Sequence, residues 1–250
     1  MLAVWDSVVR HNLKRGGFYV MVTMSCLVIY SLTDSYTTAK DLIKGNLAPT
    51  EAAIGGALVV LIYIVLNELP IEISKKSHLL ILSKPMSRTG YVMGKILGCY
   101  TLSVIVLSIF VAVAYMSLLT TCEHDVPFNN NFLKPLCHYM CFLWIITVMS
   151  CVCGLFLSEA FTIMILGFYA IGSYFIGVIP AIMVKSKAAG FLEILLNAFY
   201  FIFPNYQLFS PGEYLSYNIY VGMYLVLYSL CITLVVLPIT LYKFNKISFS

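Results

Sequence analysis

From Tyr91 to Leu118 the chain carries a single charged side chain, Lys95, close to the start of the run. A stretch this long and this apolar cannot lie against water. At 1.5 Å per residue it is more than enough to cross the hydrocarbon layer of a bilayer, for which about 20 residues suffice. Similar runs recur at Gly17–Leu32, Ala52–Leu69, Leu136–Phe156, Phe161–Pro180 and Tyr217–Tyr242. With 61% hydrophobic and only 10% charged residues, the chain departs from soluble domains, where about a quarter of residues are charged. The predicted fold is an all-α integral membrane protein, with residues 1–250 forming one transmembrane unit of six spans. Helices are required because backbone groups in lipid must bond within their own segment.

Charge fixes the expected orientation. With both termini in the cytoplasm, ten basic and four acidic residues fall inside, against five basic and seven acidic outside. Basic loops are retained on the cytoplasmic side, so this distribution favours an inner (cytoplasmic) membrane protein with both ends inside. The basic inner face follows from topology and gives no reason to expect nucleic acid as a partner. The partner it does imply is membrane lipid. At the N-terminus, Leu2, Trp5, Val8, Val9 and Leu13 recur at helical spacing, with Asp6, Arg10, His11, Lys14 and Arg15 on other faces. Residues 2–15 therefore read as an interfacial helix preceding the first span. No small-residue cleavage site follows the Phe18–Leu32 run, so it is expected to stay attached.

The segment Asn67–Gly98 between the second and third spans is unlike an ordinary tether. It holds five basic residues, Lys75, Lys76, Lys84, Arg88 and Lys95. After Pro70 the residues Ile71, Ile73, Leu79, Leu80, Ile81 and Leu82 are too apolar for a solvated loop, yet the stretch is too short to span. That pattern predicts a short amphipathic helix over about 71–84 at the membrane surface, offering an apolar edge to something else. Pro85 ends it, Ser87 is placed to cap the third span, and that span begins near Tyr91.

Glu72, Leu82, Pro85, Met86, Ser87, Arg88, Gly94 and Lys95 resemble the cytoplasmic coupling region of ABC-2 type ABC transporter permeases. In that family an acidic residue opens a coupling helix, and L-x-x-P-[VIM]-S-R precedes a Gly-Lys pair at the foot of the third span. The match covers about thirty residues, while the order of spans fits the whole chain. Within the family the likeness is greatest to permeases assigned to multi-copper-enzyme maturation or gliding motility.

The resemblance implies an exporting permease subunit paired with a second permease copy or a homologue. A separate cytoplasmic ATP-binding-cassette subunit, holding ATP and magnesium, would dock on Glu72, Leu79, Leu82, Pro85, Ser87 and Arg88. It also makes residues 2–15 an elbow helix and implies short outer helices between the fifth and sixth spans. The apolar stretch Ala188–Phe203, interrupted by Glu193 and ended by Pro204-Asn205, suits such a re-entrant pair.

What the spans lack points the same way. Away from their ends they hold no Asp, Glu, Lys, Arg or His, which an ion-coupled carrier needs near the midplane. No phosphate-binding loop of the form G-x-x-x-x-G-K-[ST] is present. Energy would have to come from a partner. Neither enzymatic activity nor a bound cofactor is expected in this chain, since nothing in the spans supplies a nucleophile with its base. A protein that reports the state of an ATPase without moving cargo is the alternative from another class.

Several smaller features remain open. Gly90, Gly94 and Gly98 form a ladder of small residues that lets another helix approach, either within the subunit or from a second copy. Tyr217, Tyr220, Tyr224 and Tyr228 share a stripe of the sixth span. The outer two suit an aromatic belt, whereas Tyr224 and Tyr228 either pack in the core or line a pathway. Cys137 and Cys141, and Cys151 and Cys153, lie in apolar helices without His or carboxylate in register, so no metal site is expected. Cys122 and Cys137 border an outer loop where a disulfide is permitted. His124, with Glu123 and Asp125, reads either as a weak cation site or as a solvated acidic turn.

Overall fold

A computed structural model describes residues 1–37, 47–68, 87–121, 130–175, 194 and 219–246. The described residues are helical, and no strand occurs among them. The helices are α1 (Leu2–Leu13), α2 (Gly16–Thr37), α3 (Leu47–Glu68), α4 (Arg88–Thr121), α5 (Asn130–Phe156), α6 (Glu159–Phe175) and α7 (Ile219–Lys246). Three stretches are long and apolar enough to cross a membrane: Arg88–Ser117, Leu136–Phe156 and Met223–Tyr242. Gly16–Ser31 and Ala52–Glu68 are apolar but shorter. The 71–84 helix, the outer loop after Cys122 and the region of the outer re-entrant helices lie outside the described residues.

Helix boundaries follow local chemistry. The Met1 carbonyl accepts the Val4 and Trp5 N–H groups at 3.1 Å, which starts α1. At its far end the chain bends at Arg15 and Gly16 into α2, with Phe18 N–H donating to the Arg15 carbonyl at 3.1 Å. In the first turn of α2 the Tyr63 hydroxyl of α3 lies over Gly17, in the space a Cβ would take, so a larger residue there would require the tyrosine to shift. At the start of α4, Ser87 Oγ accepts the Gly90 N–H at 3.1 Å, satisfying one of the orphan donors of the first turn. Only Leu157 and Ser158 separate α5 from α6; Leu157 N–H donates to the Cys153 carbonyl and Thr162 N–H to the Ser158 carbonyl, both at 2.9 Å, closing one helix and opening the next.

α4 is the axis of the bundle, packing against α1, α2, α3, α5 and α7. Its Leu102, Val106 and Phe110 are fully buried with Ile54, Leu61 and Ile64 of α3 and Phe142 and Leu143 of α5. Gly56 makes room at one crossing, where a Cβ would stand 3.0 Å from the Phe110 ring and 3.2 Å from Ile29. Several hydroxyls inside the bundle are satisfied by their own helices. Ser103 donates to the Cys99 carbonyl at 2.8 Å, Thr147 to Leu143 at 2.6 Å and Thr240 to Val236 at 2.8 Å. This back-bonding costs little in an apolar medium, where an unmet donor would be expensive. Trp144 of α5 ties α7 by donating Nε1–H to Thr233 Oγ1 at 2.8 Å, and its ring meets Tyr100 edge-on at 5.0 Å.

The face α1 turns toward the bundle is not its apolar set as a whole. The apolar set Leu2, Trp5, Val8, Val9 and Leu13 is split, and the buried residues are Val4, Val8 and Asn12. Leu2 stays 74% exposed. The cause is the surface α1 meets on α4, where glycines demand a thin, β-branched ridge rather than long side chains.

Candidate functional site

The ends of α3 and α4 that flank residues 69–86 converge on one buried polar cluster. Glu68 is the last residue of α3, and Lys95 lies two turns into α4. Lys95 Nζ stands 2.7 Å from Glu68 Oε2, with side-chain exposures of 3% and 2% for Lys95 and Glu68. The same ammonium reaches the Glu68 main-chain carbonyl at 3.4 Å. A cation at the carbonyl end of a helix satisfies orphan acceptors and opposes the negative pole of the helix dipole. Lys95 thereby offsets both the Glu68 carboxylate and the end of α3.

The second carboxylate oxygen is held by α1. Asn12 Nδ2 donates to Glu68 Oε1 at 2.7 Å and to the Val8 carbonyl at 3.0 Å. Asn12 is fully buried, and its Oδ1 accepts no hydrogen bond among the described residues. Lys95 Nζ also sits 5.8 Å from the Tyr91 ring centre, and that ring stacks on Phe244 of α7 at 6.1 Å. Four helices therefore meet at the cluster: α1, α3, α4 and α7.

The glycine ladder is what lets α1 come this close. A Cβ on Gly94 would stand 2.7 Å from Val4 Cβ and 2.8 Å from the Met1 carbonyl oxygen. One on Gly98 would stand 2.6 Å from Val8 Cβ. A Cβ on Gly90 would stand 2.9 Å from Ser87 Oγ and 3.6 Å from the Met1 nitrogen. The helix seated on the ladder thus belongs to the same chain. Trp5 completes the seat by donating its indole N–H to Thr101 Oγ1 at 3.0 Å.

The remaining residues singled out from the sequence are not gathered at this cluster. Ser87 caps α4, and Arg88, half-buried, is its first residue. Glu72, Leu79, Leu82 and Pro85 lie outside the described residues, as does Cys122. Cys137 is exposed and is not bonded to any described cysteine. Tyr224 and Tyr228 stack on each other at 6.3 Å between ring centres, Tyr224 being 53% exposed and Tyr228 half-buried against the core. Among the described residues, no three His, Cys, Asp or Glu side chains are grouped so as to hold a metal ion.

Sequence reasoning places Glu68 and Lys95 only at helix ends and gives Asn12 no role. Only Lys95, set between Gly94 and Ile96, stands out among non-polar neighbours; Asn12 lies among Arg10, His11 and Lys14, and Glu68 follows Asn67, so neither is marked by its local sequence. No protein-family model matches the chain, and no curated protein matches it.

Proposed function

We propose that the chain is the membrane-spanning permease subunit of an ATP-binding-cassette exporter. It crosses the cytoplasmic membrane six times with both termini inside, works beside a second permease copy or a homologue, and takes energy from a separate cytoplasmic ATPase. The observation that carries this reading is the Asn67–Gly98 stretch. It is basic, its apolar part after Pro70 is too apolar for a solvated loop and too short to cross, and it bears Pro85-Met86-Ser87-Arg88 ahead of Gly94-Lys95. Support comes from the base on which it stands, since a buried ion pair holds the helix ends on either side of it. A lever is useful only if its mounting does not yield.

On this reading, nucleotide-driven closure of the ATPase moves the Glu72–Ser83 helix as a rigid lever and shifts the helix bundle between inward-open and outward-open forms. The experiment is co-purification of the ATPase with the chain, together with ATP turnover in lipid. Leu79→Glu places a carboxylate on the apolar edge, where burial without a partner costs several kcal/mol. The expected result is loss of the ATPase from a chain that still inserts normally. If Leu79→Glu leaves both complex and turnover intact, the reading is wrong.

A further inference from the structure

We infer that Asn12, Glu68 and Lys95 are positioning residues that make the N-terminal helix part of the moving lever, so that α1, α3 and α4 turn as one body. The inference rests on the permease reading and goes beyond it, because it assigns a mechanical role to α1 and to an ion pair that the motif does not require.

A buried ion pair contributes little to stability beyond what apolar side chains of the same volume would give. What it does supply is direction. Glu68 can satisfy both carboxylate oxygens only if α1 presents Asn12 at 2.7 Å and α4 presents Lys95 at 2.7 Å together. Sliding α1 or α4 along α3 by an ångström would lengthen one of the two 2.7 Å bonds to the Glu68 carboxylate beyond hydrogen-bond range. Sliding is resisted on the other side too, because Val4 and Val8 sit over Gly94 and Gly98 with no slack. Three helices are therefore keyed in register at the point where α3 ends and α4 begins. Glu68 and Lys95 flank residues 69–86, so force arriving there enters through this joint. Without the joint, α3 and α4 could be displaced separately and the motion would dissipate before reaching the far side of the bundle.

The test uses the full chain, purified with the ATPase that accompanies it, in phospholipid vesicles. Three variants are compared with the native complex: Glu68→Leu with Lys95→Met, which is apolar on both sides; Asn12→Leu; and the exchanged pair Glu68→Lys with Lys95→Glu. The first reads coupling apart from folding, since an apolar pair should fold and insert as well as the native one. Its ATP turnover should fall at least tenfold while the ATPase still co-purifies. Asn12→Leu should lower turnover several-fold, and the exchanged pair should recover most of it.

Hydrogen exchange gives a readout that a merely structural role would not move. In the native complex α1 amides stay protected when the ATPase is trapped with ATP and vanadate. In the apolar variant they should exchange faster in the trapped state alone, with α5 unchanged. If the apolar pair keeps native turnover and α1 stays protected on trapping, the inference is overturned and the permease reading stands. If no ATPase accompanies the native chain, the permease reading itself fails and takes this inference with it.

Discussion

Replacing Gly98 by alanine would put a methyl carbon 2.6 Å from Val8 Cβ, 2.8 Å from Val8 Cγ1 and 3.2 Å from Val8 Cγ2. Carbon atoms at rest stand about 3.5–4.0 Å apart, so α1 must retreat by about 1 Å. No rotation of Val8 avoids this, because the closest contact is to Cβ itself. Retreat would stretch the Asn12–Glu68 bond from 2.7 Å and the Trp5–Thr101 bond from 3.0 Å to lengths at which hydrogen bonding is largely lost. Overpacking of this kind costs about 1–3 kcal/mol. Weakening a hydrogen bond to a buried charge costs about 1.5–3 kcal/mol. The two overlap, since retreat relieves the clash that causes it, and a loss of about 3 kcal/mol is expected. The assay is equilibrium unfolding in detergent micelles, followed by tryptophan fluorescence. Trp5 sits on α1 and Trp144 on α5, and they are the only two tryptophans in the chain. Adding Val8→Gly removes the clashing carbon and should return only part of this loss, because glycine inside a helix and the loss of a fully buried valine each carry their own cost. Gly55→Ala, where a Cβ meets nothing within 4 Å, is the control and should not destabilise. If Gly98→Ala unfolded within about 0.5 kcal/mol of the native protein, α1 would not be seated on α4 as described.

Ser87→Ala removes the cap of α4 and should cost about 1 kcal/mol in the same unfolding measurement, with little change if serine is replaced by aspartate. A cysteine placed at Ser77 should resist an impermeant thiol reagent in intact cells and react once the cells are opened. Reaction in intact cells would reverse the orientation read from the charges. Cys122 and Cys137 should appear as a linked peptide by mass spectrometry without reduction in a fraction of molecules, whereas two fully alkylated thiols would rule the bridge out.

Much of the helical architecture is legible in the sequence because length and apolarity are properties of single segments. The run Tyr91–Leu118 reads as one helix whatever surrounds it, and the structure extends it only to Arg88–Thr121. Ser87 can be read as a cap from its place after Pro85. The cluster at the foot of α3 and α4 cannot be read in this way. Asn12 and Glu68 stand 56 residues apart, and Glu68 and Lys95 stand 27 apart, so no periodicity joins them. The face α1 turns to the bundle is hidden for a related reason: spacing marks an apolar side for the membrane surface, whereas Val4 and Val8 are chosen by the glycines they meet on α4. The glycine spacing announces that some helix will come close, but only the packed structure identifies it as α1.

The way α1 closes onto α4 also constrains how the chain can be made. Trp5 and Thr101 are separated by 96 residues, about 5–20 s of synthesis at 5–20 residues per second. Throughout that interval the N-terminal helix has emerged but its seat has not, so Val4 and Val8 need lipid or a chaperone to cover them. Within that interval Glu68 waits for Lys95 for 27 residues, roughly 1–5 s. During that wait its carboxylate has no cationic partner and belongs at the water boundary. The clasp can therefore form only after the segment between α3 and α4 has been retained on one side of the membrane. Assembly of the ion pair would then act as a late checkpoint on insertion, and chains that placed that segment on the wrong side would be left with α1 undocked.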